Sequence, residues 1–128
     1  MKKKIAILGS TGSIGKSLLN IVKEYRNEFK IELLTANKDY KNLLKQAKKF
    51  KVKNLIITDK KSFNKLKILN QDFNIKIYND FNSLNKIFKK KIDYVMSSIV
   101  GIQGLEPTIK LIRFTKKIAI ANKESIIC

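Results

Sequence analysis

Six short apolar runs recur along this chain, separated by five stretches with apolar residues at helical spacing, and that alternation limits the fold more than any other feature. Lys4–Leu8 reads as a buried strand ended by a glycine. Beyond it Ile14, Leu18, Ile21, Val22 and Tyr25 recur at helical intervals and are expected to face a core. Phe29–Ala36, Asn54–Thr58, Ile75–Tyr78, Asp93–Ser97 and Lys117–Ala121 read as five further strands. Tyr40, Leu43, Leu44, Ala47 and Phe50 mark a second helix, Phe63, Leu66 and Leu69 a third, and Phe81, Leu84, Ile87 and Phe88 a fourth. A fifth begins near Pro107, which a first helical turn tolerates, with Leu105, Ile109 and Ile112 on one face. Strand–helix alternation predicts right-handed crossovers and a parallel sheet covered on both faces. With a glycine turn after the first strand, the expectation is an α/β, doubly wound, Rossmann-like domain over 1–128. Its ligand would lie across the carboxyl ends of the strands.

The turn itself, "ILGSTGSIGKS" at 7–17, admits two readings. Its tail resembles a P-loop, but G-x-x-x-x-G-K-[ST] needs a glycine at position 10, which is Ser10. Gly9 stands one residue too early. The dinucleotide reading fits better: Gly9 turns off the strand, Gly12 lets the pyrophosphate approach the backbone, and Gly15 lets helix and strand pack closely. The pyrophosphate would rest on the N–H groups of Thr11, Gly12, Ser13 and Ile14 at the helix N-terminus. The end of the second strand, "LTANKD", then bears on the choice between NAD and NADP. An acidic residue there holds a ribose 2′-hydroxyl, whereas a basic one accommodates a 2′-phosphate. Lys38 offers charge and Asn37 a donor, which favours NADPH; Asp39 would repel a phosphate if it pointed inward.

Composition narrows the partners. The chain carries 28 basic and 10 acidic residues, a net charge of +18, which raises nucleic-acid or anionic-membrane binding. Yet 26 of the basic residues are Lys, only 2 are Arg, and they stand beside 20 Ile and 12 Asn. That bias is expected of an A+T-rich genome. The lysines are spread over every segment without Arg–aromatic interleaving, so no nucleic-acid partner is expected. No apolar run approaches the ~18–20 residues a membrane span needs. Met1-Lys2-Lys3-Lys4 is followed by too short an apolar stretch for a signal peptide. One cysteine, Cys128, and no histidine exclude an internal disulfide and Cys/His zinc sites, so a cytoplasmic protein is expected.

Three stretches together, "ILGSTGSIG" (7–15), "MSSIVGIQGLEPT" (96–108) and "IAIANKES" (118–125), resemble the N-terminal domain of 1-deoxy-D-xylulose 5-phosphate reductoisomerases. The likeness runs from the first strand to the final residue, and "ANKES" is its most specific part. The resemblance implies an NADPH-dependent oxidoreductase of the non-mevalonate isoprenoid pathway. Such an enzyme rearranges 1-deoxy-D-xylulose 5-phosphate and reduces the product to 2-C-methyl-D-erythritol 4-phosphate with Mg²⁺ or Mn²⁺. It implies cofactor contacts at Thr11, Gly12, Ser13, Ile14, Lys38, Asn122 and Glu124, and contact with the phosphorylated substrate at Lys123. It leaves a homodimer open for the full-length enzyme. Asn37-Lys38-Asp39 departs from the family's usual Gly-Lys-Asn, and Ser97-Ser98 from its usual small apolar pair.

The residues of "ANKE" make chemical sense by themselves: an amide, an ammonium and a carboxylate delivered at a strand's end to the expected crevice, where Lys123 could stabilise oxyanion charge. The alternative is a solvated helix opened by Asn122 as N-cap. No acids cluster at metal-ligand spacing. In the family the metal carboxylates and much of the substrate pocket follow "ANKES", so the expectation is a cofactor-binding portion, inactive alone, with no catalytic residue and no metal ligand in this chain. The rival readings are another NADP-dependent reductase, such as a semialdehyde dehydrogenase needing a catalytic cysteine, and a basic nucleic-acid-binding module.

Overall fold

The computed structural model describes residues 2–99 and 105–120. The elements alternate: β1 (Lys3–Leu8), α1 (Ser13–Glu24), β2 (Phe29–Ala36), α2 (Tyr40–Phe50), β3 (Asn54–Ile57), α3 (Lys60–Leu69), β4 (Lys76–Tyr78), α4 (Leu84–Ile87), β5 (Ile92–Ser97), α5 (Leu105–Leu111) and β6 (Thr115–Ile120). All strand pairs are parallel, in the order β4-β3-β2-β1-β5-β6. The chain therefore winds outward from β1 to β4, crosses back, and winds the other way through β5 and β6. This is the doubly wound α/β arrangement the alternation predicts.

Each face of the sheet has its own core. On one face Ile5, Ile7, Ile31, Leu34, Leu55 and Ile57 pack against Leu19 and Val22 of α1, Leu43, Leu44 and Ala47 of α2, and Leu66 of α3. On the other, Ala6, Leu8, Leu33, Ile56 and Val95 meet Phe81, Leu84, Phe88 and Leu111. Burying both faces explains why the strands read as continuous apolar runs. Ile31 and Leu33 face opposite cores because the β1–β2 register shifts: Ile5 pairs with Ile31 and Ala6 with Leu33, so Glu32 is the extra residue of a bulge.

The structure revises several boundaries. The fourth helical stripe is a 3₁₀ turn (Phe81–Ser83) running into a single turn of α4. β4 starts at Lys76 rather than Ile75, and β6 starts at Thr115, two residues before the apolar pattern. Ala121 lies outside the described residues. The larger correction concerns α1. Its buried row is Gly15, Leu19 and Val22, whereas Ile14, Ile21 and Tyr25 are about half exposed, at 43%, 54% and 49%. Gly15 decides the rotation: a Cβ there would lie 2.3 Å from the Gly9 carbonyl oxygen, so only a glycine can face the turn. Ile14, Ile21 and Tyr25 consequently point outward, while Leu18 packs at the margin of the core. Leu69, Ile109 and Ile112 are also exposed.

Candidate functional site

β1 and β5 are neighbours, and the connections from their carboxyl ends run in opposite directions, β1 to β2 and β5 to β6, so a crevice opens between those ends. Gly9 begins the turn there with φ +74°, a left-handed conformation costing a side chain about 1–2 kcal/mol. Polar contacts from three elements fix the turn. From β2, Thr35 Oγ1 accepts from the Gly9 N–H (3.0 Å), and the Thr35 carbonyl accepts from the Ser10 N–H (2.9 Å). From α2, Gln46 forms a reciprocal pair with Ser10: Ser10 Oγ donates to Gln46 Oε1 (2.8 Å) and Gln46 Nε2 donates to the Ser10 carbonyl (2.9 Å). From β5, the Ser98 hydroxyl lies 2.7 Å from the Leu8 carbonyl and 2.9 Å from that of Gly9, sharing its proton between them. Buried Ser10, Thr35 and Ser98 thus have their polar atoms satisfied, as burial demands.

The three glycines of the turn differ. A Cβ on Gly9 would press on Ser98 Oγ at 3.1 Å and Ile99 Cγ1 at 3.2 Å, and one on Gly15 would overlap the backbone of Gly9 and Ser10. A Cβ on Gly12 would meet nothing closer than the Gly9 carbonyl at 3.7 Å, an ordinary contact. Gly12 is exposed and its φ of −78° suits any residue. The fold requires glycine at 9 and 15 and is indifferent at 12.

Gly12 is also the N-cap of α1, and the helix has no side-chain cap and no acid in its first turn. The Gly12 N–H bends back to the Gly9 carbonyl (3.3 Å), leaving Ser13 and Ile14 as the outward donors of this end. The neighbouring helices are closed differently. Asp39 caps α2, accepting from the N–H (3.3 Å) and Nδ2 (2.7 Å) of Asn42. Asp59 caps α3, accepting from the N–H (3.0 Å) and Oγ (2.7 Å) of Ser62. The Ser62 donors, helped by the Lys38 and Lys61 ammonium groups, hold the Asp59 carboxyl below its ordinary value. Asp39 is turned into its own helix. Lys38 is exposed and makes no ion pair among the described residues.

Gly9, Thr11, Gly12, Thr35, Ala36, Asn37, Thr58 and Ser98 line a cleft of about 470 Å³, with Phe81, Ile99 and Pro107 as its apolar wall. Ser13, Ile14, Gly15 and Lys38 stand beside it on the same turn, helix end and strand end. Asn122, Lys123 and Glu124 lie outside the described residues. A second cleft, of about 350 Å³, lies at the opposite end of the sheet among Lys2, Arg26, Phe29, Lys49 and Phe50. There the nearby Lys23 ammonium holds Lys49 below its ordinary value. Among the described residues no three His, Cys, Asp or Glu side chains converge as a metal site, and no helix is long and apolar enough to cross a membrane.

A sequence profile of the 1-deoxy-D-xylulose 5-phosphate reductoisomerases matches residues 5–128. The chain belongs to that family. It is 60% identical over 128 residues to the reductoisomerase of Pelagibacter ubique, covering 98% of this chain and 33% of that protein. It is 41% identical to that of Phocaeicola vulgatus, covering 99% and 34%. Among solved structures, the Zymomonas mobilis reductoisomerase in complex with NADPH superposes with a TM-score of 0.86 at 32% identity, over 98% of this chain and 33% of that one. A reductoisomerase with NADPH, fosmidomycin and magnesium superposes at 0.83 and 32% identity, over 96% and 31%. The chain spans about a third of the length of the reductoisomerases it matches.

Sequence reasoning missed Thr35, Gln46, Thr58 and Ser98 as parts of the site. Gln46 carried a signal: it is a half-buried amide among Leu43, Ala47 and Phe50, on a helix whose other polar residues are mostly exposed lysines. Ser98 was visible only as a departure from the family's apolar pair, and its hydroxyl is what ties β5 to the turn.

Proposed function

We propose that residues 1–128 form the NADPH-binding domain of a reductoisomerase that converts 1-deoxy-D-xylulose 5-phosphate to 2-C-methyl-D-erythritol 4-phosphate. Gly12 carries the reading. It is the one glycine of the turn that the fold does not need, and it stands at the uncapped N-terminus of α1, where an approaching anion would require a bare backbone. The Ser13 and Ile14 N–H groups, with Thr11 beside them, would hold the pyrophosphate. Asn37 and Lys38 would meet the 2′-phosphate, undisturbed by Asp39 because that carboxylate caps α2. The apolar wall of Phe81, Ile99 and Pro107 suits a planar base. NADPH would supply the hydride when bound; the described residues would bind its phosphates and orient it. Asn122 and Glu124 are proposed as further cofactor contacts and Lys123 as a substrate contact. For the metal, the described residues offer no ligand set, and no step is assigned to one.

Titration of the purified chain with NADPH, followed by cofactor fluorescence and by calorimetry, tests the proposal. Saturable 1:1 binding is expected, with no loss of NADPH absorbance when 1-deoxy-D-xylulose 5-phosphate and Mg²⁺ or Mn²⁺ are added. Absence of binding would refute the cofactor role, and metal-dependent turnover would show catalytic ligands in this chain.

A further inference from the structure

The cofactor reading leaves one contact at the rim of the cleft unused. Thr58, directly after β3, donates its hydroxyl to Asn37 Oδ1 at 2.8 Å. Both residues line the cleft. Their backbones are held too: the Thr58 N–H donates to the Ala36 carbonyl (3.1 Å) and the Asp59 N–H to the Asn37 carbonyl (3.0 Å). Asn79 Nδ2 ties the same segment down, donating to the carbonyls of Ile57 (2.8 Å) and Thr58 (3.2 Å). Two adjacent strand ends are thus locked together around one planar carboxamide.

A carboxamide has an accepting end and a donating end. Thr58 engages the accepting end at Oδ1, and Nδ2 has no partner among the described residues. We propose, resting on the cofactor reading above, that Thr58 is a positioning residue for cofactor choice. By holding Oδ1 it orients the Asn37 carboxamide and leaves Nδ2 as the free donor, which rewards the extra acceptor oxygens of a 2′-phosphate more than a single 2′-hydroxyl. The nearby acids cannot reverse this preference. Asp39 and Asp59 accept from Asn42 and Ser62 at the starts of α2 and α3. Thr58 never touches the cofactor in this scheme; it acts through Asn37.

Thr58→Val removes the hydroxyl and keeps the size and the backbone donor. NADPH and NADH are titrated separately into the wild-type chain, Thr58→Val and Thr58→Ser, with a melting curve for each. One lost neutral hydrogen bond predicts a roughly threefold to tenfold weakening for NADPH alone in Thr58→Val. NADH affinity should stay at its wild-type value, and Thr58→Ser should restore the NADPH affinity. Asn37→Asp keeps an acceptor for Thr58 but sets a negative charge before the phosphate, so it should weaken NADPH at least about tenfold and spare NADH. Equal losses for both cofactors in Thr58→Val, an unchanged NADPH affinity in Thr58→Val or Asn37→Asp, or failure of Thr58→Ser to keep the wild-type NADPH affinity would overturn the assignment while leaving the cofactor site standing. Wild-type protein that binds neither nucleotide would overturn both.

Discussion

Replacing Gly12 and Gly15 in turn by alanine should separate binding from folding, because the structure gives the two glycines different reasons to exist. At Gly15 a Cβ would sit 2.3 Å from the Gly9 carbonyl oxygen, 2.6 Å from Ser10 Cα and 2.7 Å from the Ser10 carbonyl carbon. Ordinary contact begins at 3.4 Å, so helix and turn must part by about 1 Å, and every obstacle is backbone. Overpacking of this kind costs about 1–3 kcal/mol, and backbone obstacles put Gly15→Ala at the upper end, a fall of roughly 10 °C in melting midpoint. At Gly12 the added Cβ meets only an ordinary contact. Alanine is a poorer N-cap than glycine by about 1 kcal/mol, while a stiffer unfolded chain returns about 0.4–1 kcal/mol. Gly12→Ala should therefore melt within a few degrees of wild type. Its cost appears only with cofactor, where the methyl stands between backbone and pyrophosphate; about 1–3 kcal/mol there is a roughly fivefold to hundredfold weaker NADPH affinity. Differential scanning calorimetry and NADPH titration on both variants measure the two quantities. A Gly12→Ala protein with wild-type melting and wild-type NADPH affinity would refute the dinucleotide reading of the turn.

Three further outcomes follow from the same geometry. Lys38→Ala should weaken NADPH by roughly tenfold to hundredfold, the worth of a charge-assisted contact, and leave NADH unchanged in parallel titrations; equal losses would remove Lys38 from the 2′-phosphate. Gln46→Leu should destabilise the fold by about 1–3 kcal/mol in urea unfolding, since the Ser10 hydroxyl and carbonyl lose their partner in a buried setting; unchanged stability would mean that the pair contributes nothing. Asp59 is held below its ordinary 3.8 by the Ser62 donors, so its contribution to stability is fully present above that value and is lost as pH falls through the lower folded value. The melting difference between wild type and Asp59→Ala should accordingly be constant near neutrality and shrink below about pH 4; a difference independent of pH would count against the ionised cap.

Much of the architecture was legible because burial on both faces forces long apolar runs and leaves helices to show their period. The identity and order of the elements follow from that, including the glycine turn after β1. What the periodicity could not convey was the rotation of α1. The expected stripe of Ile14, Leu18, Ile21, Val22 and Tyr25 is off by a rotation: Val22 is buried and Leu18 packs against the core, but the row that faces inward is Gly15-Leu19-Val22, with less apolar mass than the exposed Ile14, Ile21 and Tyr25. The winning row is selected by the residue with no side chain, through a contact with a turn that sequence pattern does not locate in space. The short α4 escaped for a related reason: Phe81, Leu84 and Phe88 are all buried, but a 3₁₀ turn and one α-turn place them as well as a full helix would. At the site, the glycines and the strand end were visible as motif. The polar scaffold of Thr35, Gln46, Thr58 and Ser98 was not, because each acts through a partner 21 to 90 residues away.

The helix ends at the carboxyl edge of the sheet give the electrostatic logic of the crevice. Helices α1, α2 and α3 all begin there, each presenting unsatisfied N–H groups and the positive end of a dipole to the same side. A chain with a net charge of +18 has few acids to spare, yet aspartates close α2 and α3 from within. Of these three helices, α1 alone begins at a glycine with no side-chain cap. An aspartate at position 12 would fit the space and satisfy the same donors, and it would put a fixed negative charge where a pyrophosphate is expected. Internal caps at α2 and α3 therefore have two effects at once. They offset the dipoles that would compete for the anion, and they engage Asp39 and Asp59 at their own helix ends, with Asp59 still attracted to the Lys38 ammonium. The donors left over belong to α1, Asn37 and Lys38, which stand together at the carboxyl edge of the sheet.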